Sequence, residues 1–140
     1  MNIARSILIA CVAVTVAACG ADSPAPAATA SPCLQYAPGM VTLSGMASTR
    51  MVSAPGKASR NAMLLTLDAP ICIDTHAARA DEYPARRQLR VIELVPQSDF
   101  ADAYALAGQR VTAHGGLVPM SGDGVAAPVG LLLRTLKPAQ

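Results

Sequence analysis

Four cysteines and two histidines are the residues with which this 140-residue chain could ligate a metal, exchange a disulfide or move a proton. His76 stands in a polar stretch with Asp74, Asp81 and Glu82. Those are the residue types of a carboxylate–histidine metal site or of a general acid–base pair. Their spacing is loose, and a solvated polar loop accounts for the same residues. His114 stands beside Gly115 in an alternating stretch, where an exposed or half-buried strand histidine is the simpler reading. Arg79, Arg86, Arg87 and Arg90 form a cationic cluster suited to anionic lipid head groups, cell-wall polymers or an acidic protein patch. A solvated rim is the plainer alternative. No serine has the context of a nucleophile elbow, and no glycine-rich loop leads from a strand into a helix. There is no CxxC spacing, which weighs against redox catalysis and against a zinc ribbon. No cofactor and no bound metal are expected.

The N-terminus sorts the cysteines. Residues 1–5 carry one positive charge, and residues 6–16 (SILIACVAVTV) are an uncharged apolar run. Its length suits a signal peptide, whereas a bilayer span needs roughly 20 apolar residues. The run ends in Val16-Ala17-Ala18-Cys19-Gly20. This sequence resembles the lipobox of bacterial lipoproteins. The resemblance implies a diacylglyceryl group on the Cys19 thiol, cleavage just before Cys19 and acylation of the new amine. Three acyl chains would hold the protein essentially permanently, at ~0.8 kcal/mol per buried methylene. Gly20, not Asp, follows the cysteine. By the sorting pattern of such lipoproteins this implies the outer membrane, facing the periplasm. An ordinary secretory signal with a chance cysteine is the alternative.

Residues 20–32 (GADSPAPAATASP) contain three prolines and no hydrophobic periodicity. They read as an extended tether, reaching about 40 Å at ~3.1 Å per residue. The chain thus divides into residues 1–18, a signal peptide; residues 19–32, the lipidated cysteine and tether; and residues 33–140, one folded domain. Cys11 leaves with the signal peptide and Cys19 takes the lipid. Cys33 and Cys72 remain in an oxidising compartment, where paired cysteines usually bond. Two free thiols or half of a metal site are the alternatives.

The elements that must position these residues are mostly strands. Residues 40–51 place Val41, Leu43, Gly45 and Ala47 on one face and Thr42, Ser44 and Ser48 on the other. Residues 61–67, extended through 71–73, form a second strand, and residues 89–95 a third. Residues 74–88 read as a polar loop. A helix is predicted from Asp99 as N-cap, with Phe100, Ala103, Tyr104 and Ala107 on its apolar face and Gly108 as its end. Residues 110–118 and 129–136 are the fourth and fifth strands. The order β-β-β-α-β-β predicts an all-β fold, a small five-stranded OB-like Greek-key barrel with one short helix and one disulfide. A small β-sandwich is the competitor. With no Trp and one Phe, the core must come from Leu, Val, Ile, Met and Ala.

Cys33-Leu34-x-Tyr36-x-Pro38, Val41-x-Leu43-x-Gly45 and Leu65-x-Leu67-x-x-Pro70-Ile71-Cys72-Ile73 resemble an uncharacterised bacterial family, domain of unknown function 4431. Gly108-x-Arg110-Val111-Thr112-x-x-Gly115 and Pro128-Val129-x-Leu131 extend the resemblance. It implies a secreted or lipid-anchored domain and supports the disulfide. The family carries histidines just before the last Pro-Val, whereas residues 121–127 (SGDGVAA) have none here. No metal or proton chemistry of that loop carries over.

Single-stranded nucleic acid would require a basic groove and aromatic stacking platforms. Aromatic residues are 3% of the chain and its formal charge is +2, which argues against a nucleic-acid partner. The expected function is therefore a periplasm-facing, membrane-anchored binding or envelope-associated module, not an enzyme. Its partner would be an envelope protein, an anionic cell-wall polymer or lipid. The alternative is a metal-dependent or hydrolytic enzyme using Asp74, His76 and nearby carboxylates.

Overall fold

A computed structural model describes residues 32–140. The expected signal peptide with Cys11, the expected lipidation site Cys19 and the expected tether as far as residue 31 lie outside the described residues. Five strands follow one another: β1 (Met40–Val52), β2 (Arg60–Ile73), β3 (Arg86–Val95), β4 (Arg110–Pro119) and β5 (Val129–Pro138). They form one closed sheet in the order β1-β2-β3-β5-β4. Neighbours are antiparallel except β3 and β5, which run parallel. The ring is not evenly round. The β3–β5 ladder has three paired positions, from Glu93↔Gly130 to Val95↔Leu132, whereas β4 and β5 pair from Val111↔Pro138 to Pro119↔Val129.

β1 closes the ring by pairing along both edges. Its first half lies against β4 and its second against β2, and Gly45 is paired to Val111 on one side and Leu67 on the other. The strand bends there so sharply that a Cβ on Gly45 would strike the Thr66 carbonyl oxygen. Gly115 marks the matching bend in β4, at a register shift, and its Cβ would strike the Leu132 carbonyl oxygen. Glycine in a strand interior costs entropy, and here it is required by close backbone approach.

The period-two pattern of the sequence points inward as expected. Leu43 and Ala47 of β1, Met63, Leu65 and Leu67 of β2, and Ile92 and Leu94 of β3 fill the core. Val111, Ala113 and Leu117 of β4 and Val129, Leu131 and Leu133 of β5 complete it. Fully burying each such aliphatic side chain contributes about 1.5–3 kcal/mol. β2 runs on unbroken to Ile73, through the extension expected at residues 71–73. Its pairing with β3 is interrupted between Thr66 and Ile71, around Pro70, which cannot donate to a ladder. Opposite this irregularity Gln88 adopts a positive φ of 52°. The expected loop 74–88 yields its last residues to β3 and contains a single turn of 3₁₀ helix, Ala77–Arg79.

The predicted α-helix is corrected to a 3₁₀ helix, Ser98–Leu106. Its N-cap is Gln97, not Asp99, and no side chain caps it; Ser98 instead donates to Asp99. Phe100 departs from helical geometry at φ −116°, ψ 40°. The physical reason is the row of contacts. Phe100, Ala103 and Leu106 recur every third residue and pack against the core, as the eclipsed faces of a 3₁₀ helix require. Tyr104, expected in the core, is exposed and donates from its hydroxyl to the Asn61 carbonyl. Gly108 ends the segment with φ +82°, as expected. No helix among the described residues is long and apolar enough to cross a membrane.

The close approaches separate glycines that must be glycine from those that need not be. Gly45→Ala and Gly115→Ala are each expected to destabilise the domain by about 3 kcal/mol or more, since backbone must move. Gly39→Ala, whose Cβ would meet nothing nearer than 3.4 Å, should change stability by less than about 0.5 kcal/mol. Urea unfolding of the three variants checks this.

Candidate functional site

The N-terminal segment and the β2–β3 connection build one end of the barrel together. Cys33 is bonded to Cys72, as the sequence led us to expect. Leu34 bridges Ile73; its N–H donates to Cys72 O at 2.8 Å and its carbonyl accepts from the Asp74 N–H at 2.9 Å. This seats Tyr36 in the core, 4% exposed, with its hydroxyl donating to Pro84 O at 2.8 Å. The edge of the Tyr36 ring meets Tyr83, with centroids 5.4 Å apart and planes at 74°. The Arg79 guanidinium lies 4.8 Å from the centroid of the Tyr83 ring and forms an ion pair with Glu82. His76 packs beside the same ring, 5.8 Å away.

These contacts shape one wall of a cleft of about 480 Å³. Asp81, Glu82, Tyr83, Pro84 and Arg86 line that wall, and Pro119 at the end of β4 with Met120 and Ser121 of the β4–β5 loop line the other. Arg86 is half-buried, and its Nε is shielded from solvent with no hydrogen-bond partner. Burial raises the pKa of the Tyr36 hydroxyl, and a side-chain hydrogen bond from Arg86 together with its charge partly opposes the rise.

The β4–β5 loop owes its position to a charge that the sequence reading missed. Glu93 alternates outward from Ile92 and Leu94, yet it is 2% exposed. Its carboxylate pairs with Arg60 at 2.6 Å and accepts the Ala126 N–H at 2.9 Å. Arg60 also donates to Gly124 O at 2.9 Å, and Arg50 donates to Ala126 O. The Glu93 carboxylate in turn raises the pKa of the Arg60 guanidinium. Ala62, Leu64 and Ala127 are buried outside the main core cluster, so the loop covers a small apolar patch beside the clamp. The signal available in the sequence was a lone Glu within the apolar run VIELV.

The other residues singled out from sequence are dispersed. Arg87 pairs with Asp74 at 3.3 Å and donates to Cys33 Sγ. It lines a second cleft, together with the disulfide. Arg90 is exposed and forms no ion pair among the described residues. Asp74 also accepts from Gln35 at 3.4 Å. His114 is half-buried on β4, with Nδ1 3.0 Å from the Thr42 hydroxyl. Among the described residues no three His, Cys, Asp or Glu side chains gather in a way that could hold a metal ion.

Two outcomes follow from the buried groups. Glu93→Gln keeps an acceptor and leaves only the half-exposed Arg60 cation unpaired, so it should cost about 1–2 kcal/mol and speed amide exchange in residues 120–128 well before the strands. Exchange mass spectrometry checks this. Tyr36 has a raised pKa, so the folded state keeps a proton that the unfolded chain releases near its ordinary value of 10.0. That contribution is whole below about pH 10 and is lost as pH rises further. Denaturation at about pH 8 and pH 11 should show a larger loss in the native protein than in Tyr36→Phe.

Comparison with family models, curated proteins and solved structures finds no match to this chain.

Proposed function

We propose that this chain is a lipid-anchored envelope protein whose OB-like barrel is a binding module for an anionic group presented on the periplasmic side. The observation that carries the reading is Arg86 in the wall of the cleft between the β2–β3 connection and the β4–β5 loop. Its guanidinium neighbours the Tyr36 hydroxyl and forms no ion pair with any carboxylate among the described residues. A carboxylate or phosphate seated in the cleft would supply that charge partner. Tyr83 and Met120 offer apolar contact beside it, and Ser121 a hydroxyl. The exposed Arg90 would add long-range attraction. Asp81 and Glu82 restrict the cleft to a ligand whose negative group is local, not a uniformly charged polymer run; Glu82 is already matched by Arg79.

The anchor rests on the lipobox resemblance at Val16 to Gly20 and the tether that follows. The enzymatic alternative has less support, because Asp74 engages Arg87 and His76 packs on Tyr83.

Two measurements test the reading. The mass of the mature chain should begin at a triacylated Cys19, and an unmodified or differently cut N-terminus would refute the anchor. Isolated cell-wall sacculi and vesicles containing anionic lipid should retain an unlipidated form, residues 20–140, at low salt. Arg86→Glu should weaken retention by about tenfold, and high salt should abolish it. Equal retention of the wild type and Arg86→Glu would refute the binding site.

A further inference from the structure

We infer that Cys33–Cys72 is an exchangeable disulfide, with Cys33 as the leaving thiolate and Arg87 as the group that stabilises it. Both cysteines are half-buried and line an open cleft of about 470 Å³, with Pro32, Pro70, Arg87 and Gln88 around them. The bond is thus within reach of an incoming thiol. Its two sulfurs differ in surroundings. Arg87 Nη1 points at Cys33 Sγ and is held there by Asp74 at 3.3 Å. A neighbouring guanidinium lowers a thiol's pKa, and the sulfur with the lower pKa leaves faster.

The chain around the bond does not depend on it to stay seated. Leu34 is hydrogen-bonded to Cys72 and Asp74 through the backbone, and Ala37 N–H donates to Leu117 O at 2.8 Å. Tyr36 is locked in the core between them. Opening the disulfide therefore leaves the segment in place, and reclosure needs no search. The bond still limits the unfolded chain, so it contributes stability without being needed for the native geometry.

In the exchange step an external thiolate attacks Cys72 Sγ. A new sulfur–sulfur bond forms as the Cys33–Cys72 bond breaks, and its electron pair departs on Cys33 Sγ as a thiolate facing Arg87. The attacking thiol is oxidised and Cys33 is reduced. A second external thiol attacking the mixed disulfide completes the two-electron reduction and releases Cys72.

Reduced glutathione is the probe, applied to the full-length chain without denaturant. N-Ethylmaleimide quenching and peptide mapping distinguish all four cysteines. Glutathione is expected on Cys72 and maleimide on Cys33. Arg87→Gln should slow exchange about threefold or more, Arg87→Lys should restore most of the rate, and Arg134→Gln should leave it unchanged. Glutathione found mainly on Cys33 would overturn the inference. So would an unchanged rate in Arg87→Gln, or exchange whose urea dependence follows global unfolding.

Discussion

The whole arrangement depends on two places where one backbone touches another. At Gly45 and Gly115 the strands bend into contact with the carbonyls of Thr66 and Leu132, and no side chain can stand between them. Without the first bend, β1 could not leave β4 and take up β2. The sheet would then stay open, with unpaired edges exposed to other chains. With it, the ring closes on a core made almost entirely of Leu, Ile, Val, Met and Ala. Aliphatic side chains suit so small a ring, because its curvature leaves little room for large aromatic ones. Tyr36 enters from the N-terminal segment instead of from a strand, at the end where Tyr83 can meet it.

Closure also decides where the loops go. The β2–β3 connection and the β4–β5 loop face each other across one cleft, although about 35 residues separate them in sequence. Each is fixed by a different kind of force. The first is held by aromatic contact and by the cation over Tyr83. The second is held by Glu93, a carboxylate that is stable under the loop because Arg60 and the Ala126 N–H meet it there. Removing Arg60 would leave the buried Glu93 charge uncompensated, whereas removing Glu93 leaves a half-exposed cation that water can reach. The pair's effect is to fix one loop position, and hence one shape of cleft.

Much of the architecture was legible in sequence because strand periodicity is a direct consequence of burial. Val41, Leu43 and Ala47 alternate with Thr42, Ser44 and Ser48 since one face must be apolar. The glycines of β1 and β4 announced curvature. The helix was misread because the i, i+3, i+4 pattern and the i, i+3, i+6 pattern share Phe100 and Ala103, and only packing chooses between Tyr104 and Leu106. Glu93 was missed because a charged residue in a strand normally marks a solvent face. That inference fails where a distant loop folds over the face. The arginines looked like one cluster because they are close in sequence. Turns and pairing then sent Arg79 to Glu82, Arg87 to Asp74 and Arg86 to the cleft.

The central claim is that the cleft beside Arg86 receives the partner. A photoreactive amino acid placed at Ser121, on the lip of that cleft, tests it in the intact cell envelope. The same group at Met51, an exposed residue of β1 outside the cleft, is the reference. The account predicts a discrete crosslinked product from position 121 that disappears in Arg86→Glu, and none from position 51. Equal crosslinking from both positions, or a product from position 121 indifferent to Arg86, would contradict it.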